Sequence, residues 1–121
     1  MVLVAHAILL VMYCSVAAFF YYNKPEKIND LFGYRTRLSM KNEYTWGEAN
    51  QFSSSLFLIV ALSTFVFQVI IFFCLEGMNS FLSATAFLTI NSILMIPITE
   101  LHLRSIFDNN GDFKSKPNSK S

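Results

Sequence analysis

Three long stretches of this chain carry no Asp, Glu, Lys or Arg: residues 1–23, 49–75 and 77–99. A helix that crosses the hydrocarbon core of a bilayer needs about 20 mostly apolar residues, and each stretch reaches that length. A water-soluble helix bundle would show charge at every second turn of its outer faces, and none of the three does. The expected fold is therefore all-α, an integral membrane protein with three transmembrane helices. Composition agrees: 14% of residues are charged, where a soluble domain carries about a quarter.

A cleaved signal peptide has a basic n-region ahead of an apolar core of about 7–15 residues. No Lys or Arg precedes Lys24, and the first apolar run is longer than that core. A retained first helix is the better reading. The nine basic residues fall between the first and second runs (Lys24, Lys27, Arg35, Arg37, Lys41) or after the third (Arg104, Lys114, Lys116, Lys120). With three spans these two regions share a side, and the positive-inside rule makes it cytoplasmic. The N-terminus is then outside and the C-terminus in the cytoplasm. Acids are mixed among the cations, so no nucleic-acid partner is implied. Cys14 and Cys74 differ in expected depth by on the order of 20 Å, beyond the reach of a disulfide. His6 and His102 fall near opposite ends of the bundle, so no metal site or cofactor is expected.

Along the chain, helix one is expected over 1–22 and a loop over 23–45. Within the loop, Pro25 suits the first turn of a short interfacial helix, with Ile28, Leu31 and Phe32 toward the membrane and Gly33 as its stop. Helix two is expected over 46–75, opened by a capping box in which Thr45 and Glu48 exchange bonds with each other's backbone. A turn over 76–78 leads to helix three over 79–106, which Pro97 should bend, and a polar tail over 107–121. Gly47, Asn50, Ser54, Ala61, Thr64 and Gln68 fall on one face of helix two, and Ser80, Ala84, Asn91 and His102 on one face of helix three. Small and amide side chains of this kind let membrane helices approach and hydrogen-bond, so these stripes read as the seam between the two helices. A transport path along them is disfavoured, because no ionisable residue lies at mid-membrane.

The polar block "GYRTRLSMKNEYTWGEAN", residues 33–50, is the densest candidate site. Tyr34, Tyr44 and Trp46 suit the headgroup level, and the cations suit anionic lipid. Anchoring accounts less well for the acids, the asparagines and the cap, which point to a loop folded onto the ends of helices two and three. On that reading Arg35 or Arg37 pairs with Glu48 or Glu100, Arg35 foremost, since an arginine fork can bridge two carboxylates where a lysine cannot. Enzyme chemistry finds no support: there is no HExxH, no phosphate loop and no nucleophile–base arrangement. Asp108-Asn109-Asn110-Gly111-Asp112 has the look of a calcium loop, but Phe113 stands where the turn glycine belongs and no Glu follows at the twelfth position.

At "INDLFGYRTRLSMKNEYTWGEAN" and again at "TELHLRSIFDNNG" the sequence resembles the SdpI family of small bacterial membrane proteins. The resemblance rests on Asn29, Gly33-Tyr34-Arg35-Thr36, Ser39-Met40, Asn42, Trp46, Ala49-Asn50, Thr99, Glu100, Leu103 and Phe107-Asp108, and spans residues 23 to about 112. It implies a multi-pass protein of the bacterial inner membrane and a working surface that includes Tyr34, Arg35, Thr36, Asn42, Trp46, Asn50 and Glu100, to which the reading of the polar block adds Glu48. The family's best-known member is an immunity protein, longer than this chain. It protects against a secreted toxic peptide and holds a transcriptional repressor at the membrane. The implied role is a non-catalytic binder of membrane lipid and of a toxic peptide or a cytoplasmic regulator. The rival is a self-associating or accessory subunit of a larger membrane complex, and a minimal oligomeric transporter comes third.

The charge distribution makes a direct prediction. In intact cells, an impermeant thiol reagent added from outside should label a cysteine placed at Asn79 and miss one placed at Ser39; the reverse pattern would overturn the orientation.

Overall fold

The computed structural model describes residues 1–114. Three helices follow in order: α1 Val2–Tyr22, α2 Glu43–Cys74 and α3 Met78–Ile106. Each is long and apolar enough to cross a membrane. They run up, down and up. Among the described residues no strand forms, and one isolated bridge joins Phe107 to Phe113. Helices α2 and α3, joined by a three-residue turn, pack most extensively; α1 lies mainly on α2 and touches α3 little.

Large apolar side chains mostly face outward, as lipid allows: Phe73, Leu62 and Leu101 are all well exposed. What the helices bury against one another is small or polar. Ala17, Ala49, Ala84, Thr64 and Thr99 are closed off completely, and Ser54, Ala61, Gln68 and Ser80 nearly so. Small residues allow close approach, and close approach is what holds helices together in lipid. The polar stripe of α2 is therefore buried as expected except at Gly47, which is exposed. Its partners are not confined to α3. Ala61 packs with Tyr13 and Ala17 of α1, so the stripe is the line where all three helices meet.

A buried polar knot closes the bundle at the end opposite the cations. The Tyr13 hydroxyl donates to Gln68 Oε1 at 2.9 Å. Gln68 Nε2 spends one hydrogen on His6 Nδ1 and the other on the His6 carbonyl, both at 2.8 Å. With Nδ1 accepting, the His6 proton belongs on Nε2, which lies 3.0 Å from Ser80 Oγ. The Ser80 hydroxyl then donates to the Gly77 carbonyl at 2.8 Å. Each donor has one acceptor, and the orientation of the Gln68 amide is fixed from both sides. Gln68 is thus occupied in joining helices. Asn91 donates to the Phe87 carbonyl of its own helix.

The start of α2 differs from expectation. The N-cap is Asn42, three residues before Thr45, and the helix begins at Glu43 rather than 46. Asn42 Oδ1 accepts from the Tyr44 and Thr45 amides at 2.9 and 3.0 Å, and Thr45 Oγ1 accepts from the Asn42 amide at 3.1 Å. The capping box is real, but Thr45 is its third helical residue rather than its cap. Asn prevailed because its short carbonyl reaches two amides at once, and this freed Glu48 for another role. A second correction concerns residues 23–42, which form bends and turns with no interfacial helix. Asn29 Oδ1 accepts from the Leu31 and Phe32 amides at 2.9 Å, as an N-cap would, but Gly33 follows at φ +111° and no helical turn is completed. The chain stays helical through Pro97.

Of the tail expected over 107–121, residues from 115 onward lie outside the described part. Residues 107–114 fold back. Asp108 Oδ1 accepts from the Asn110 and Asp112 amides, so its carboxylate closes its own turn. Asn42 Nδ2 donates to the Gly111 carbonyl at 2.7 Å, pinning that turn to the start of α2. Gly111 has φ +85°, and a Cβ there would meet Asn42 Nδ2 and Lys41 Cβ at 2.8 Å. Ser39 proves fully buried, so the exposed Lys41 is the better inner position for the labelling experiment.

Asn42 holds two amides and a carbonyl, and its replacement should be costly. Asn42→Ala should lower stability by about 1–2 kcal/mol, the range for a lost N-cap; thermal unfolding in detergent reads the change, and an unaltered midpoint would mean that the cap is dispensable.

Candidate functional site

The cation-rich end is closed by the segment 33–42, which lies across the ends of α2 and α3. Its anchor is Glu100. The Tyr34 hydroxyl donates to Glu100 Oε1 at 2.9 Å, the Thr36 hydroxyl donates to the same oxygen, and the Ile96 carbonyl lies 3.0 Å from the phenol as a second acceptor. A carboxylate that collects hydroxyl donors has little need of a cation. Burial, and then the hydrogen bond to Glu100, push the Tyr34 phenol well above its usual range.

Tyr34 is also held by its backbone. Its amide donates to Asn50 Oδ1 at 2.7 Å, while Asn50 Nδ2 donates to the Trp46 carbonyl at 2.9 Å. Trp46 is completely buried, and its indole N–H donates to the Pro25 carbonyl at 2.8 Å. Gly33 fits between these groups. Its φ is +111°, and a Cβ would lie 2.7 Å from both Asn50 Oδ1 and Pro25 Cγ, so only glycine allows the chain to pass. Ser39 ties the turn: its hydroxyl oxygen accepts from the Thr36 amide at 2.7 Å, and its own proton has the Tyr34 and Thr36 carbonyls within 3.1 Å. Beneath the segment, Leu38, Ala49, Leu103 and Phe107 make a small apolar core with Tyr34 packed against it.

The structure thus gathers Tyr34, Thr36, Asn50, Trp46 and Glu100 into one network, with Asn42 beside it at the cap. Two of the expected residues stand apart. The Arg35 bridge is not formed. Arg35 turns outward to Asp30 at 3.5 Å, with Asp30 93% exposed, and a pair so solvated contributes little. Glu48 bonds instead to His102 Nε2 at 2.7 Å, whose ring stacks on Phe52 at 3.9 Å. The two acids need no shared cation because each has found separate donors. His102, Ser39 and Gly33 were missed as site residues. The pairing of Glu48 with His102 was open to counting: equal steps back from the Glu76-Gly77 turn bring the two within one helical turn of each other.

Fold and site together define a small multi-pass helical membrane protein with a rigid, hydrogen-bonded cap on one end. Comparison with known proteins gives the lineage. The model of the SdpI/YfhL protein family matches residues 26–99, and the chain belongs to this family. The match takes in the cap segment and ends at Thr99, one residue before the cap's anchor. The uncharacterized protein YfhL of Bacillus subtilis (strain 168) is 30% identical over 91 residues, covering 75% of this chain and 78% of that protein. No solved structure matches.

The raised Tyr34 phenol has a pH signature. A phenol whose folded pKa lies above its unfolded value of about 10 contributes stability that is complete below pH 10 and lost as pH rises further. The unfolding midpoint of the native chain should therefore fall more steeply above pH 10 than that of Tyr34→Phe. Arg35→Lys should stay within about 0.5 kcal/mol of the native chain, as an exposed substitution does; parallel slopes for native and Tyr34→Phe would sever Tyr34 from Glu100.

Proposed function

We propose that the chain is a non-catalytic member of the immunity type, oriented with its cap in the cytoplasm of a bacterial inner membrane. It would protect its cell against a membrane-active toxic peptide, or signal the presence of one, by binding. One observation carries this reading. The cap's reactive side chains are already engaged with one another, Glu100 with Tyr34 and Thr36 and Glu48 with His102. Its exposed face offers Arg37, Lys41, Tyr44 and Arg104. Groups so engaged give shape to a surface, and an exposed set of cations with an aromatic ring suits a contact face. Family membership supports the same reading, and the cap residues fall largely within the matched region.

Survival of a sensitive bacterium tests it. Cells expressing the native chain should outlive empty-vector cells when challenged with one peptide of a panel of membrane-active peptides. Glu100→Ala should lose that protection while still reaching the membrane. Equal killing by every peptide, together with co-purification of a defined membrane complex, would replace this reading with that of an accessory subunit.

A further inference from the structure

One cavity lies at the cation-rich end, between the three helices. It has a volume of about 280 Å³, at the lower end of small-molecule sites. Its lining is mostly apolar beneath a polar rim. Lys24, Pro25, Gly33 and Asn50 line it at the level where the hydrophobic span ends; deeper in, Val16, Phe57 and Met95 line it, with Ser54 and Ser92 among them. Val16 and Phe20 are four residues apart on one face of α1, and Lys24 follows two residues beyond the end of that helix. Because α1 and α3 touch little, the cavity is open sideways between them. Among the described residues Lys24 makes no ion pair; its ammonium lies 4.2 Å from the centre of the Tyr21 ring.

A charge at the surface, a polar collar and an apolar slot below it, open toward lipid, reproduce the order of groups in a phospholipid. We propose that this groove holds one anionic phospholipid, its phosphate against Lys24 and an acyl chain between Val16, Phe20 and Phe57. The cation selects for negative headgroups, and the slot admits a chain from the bilayer without its leaving lipid. The site is distinct from the cap's exposed face and does not depend on the peptide-binding reading.

Trp46 reports on it. It is the chain's single tryptophan, it holds the Pro25 carbonyl, and its ring edge borders Gly33, where a Cβ would meet it at 3.4 Å. The full chain is reconstituted in vesicles of mixed phosphatidylglycerol and phosphatidylcholine, with bromine on the acyl chains of one lipid at a time. Brominated phosphatidylglycerol should quench Trp46 with an apparent association about fivefold stronger than brominated phosphatidylcholine, the preference one lysine at an anionic surface supports. Lys24→Gln should abolish the preference, and Lys27→Gln, exposed and outside the groove, should keep it. Equal quenching of the native chain by the two lipids overturns the proposal with no variant needed. A preference that survives Lys24→Gln also overturns it, assigning the effect to the basic surface at large.

Discussion

In a bilayer an apolar side chain gains nothing by leaving lipid for a neighbouring helix, so close packing and a few hydrogen bonds must hold the bundle together. The rest of this structure depends on that constraint. It explains why the residues fully closed off in the span are alanines and threonines, while phenylalanines and leucines point away. It also explains why the inter-helix polar contacts are concentrated at the two ends. Single polar contacts between membrane helices average about 0.6 kcal/mol, so stability comes from several acting together, as around Gln68 and around Glu100.

The two ends solve the problem differently. Around Gln68 the groups are neutral, closed from water and matched donor for acceptor. Around Glu100 a carboxylate is the hub, and hydroxyls from a loop converge on it. Since the loop has no regular structure, its shape is set by side chains gripping backbone: Asn50 and Ser39 on Tyr34 and Thr36, Asn42 on Gly111. The cap is thereby rigid without being a helix.

The spans were legible because absence of charge over twenty residues has one physical meaning. The stripe on α2 was legible because helical geometry fixes which residues share a face. The cap was legible in membership but not in wiring. Two acids at adjacent helix ends suggest a cation such as Arg35 between them, whereas Glu100 is satisfied by Tyr34 and Thr36. Thr45 reads as a cap because a Glu follows three residues on; Asn42, whose side chain exchanges bonds with Thr45 three residues on, is the better capping residue. The spacing of Ile28, Leu31 and Phe32 suggests an interfacial helix, which the left-handed backbone at Gly33 cuts short. The contact of His6 with Gln68 and Ser80 required knowing how α1 leans on the hairpin, which no local pattern encodes.

That last contact bears on how the protein is made. Synthesis delivers α1 first, and the partners of His6 lie 62 and 74 residues further along the chain. Until α2 emerges, the imidazole of His6 and the phenol of Tyr13 have no acceptors or donors from another helix. His6 stands one turn from the start of α1, close enough to the surface for water to serve it meanwhile. Tyr13 is rooted about two turns deeper in the same helix, and its hydroxyl reaches the Gln68 amide that also holds His6. The first helix therefore enters lipid with polar groups that no other helix yet meets, and the arrival of Gln68 satisfies the phenol. Assembly of the bundle is in this sense timed by the ribosome: α2 brings Gln68 to Tyr13 and His6, and only α3 brings Ser80 to the other ring nitrogen of His6.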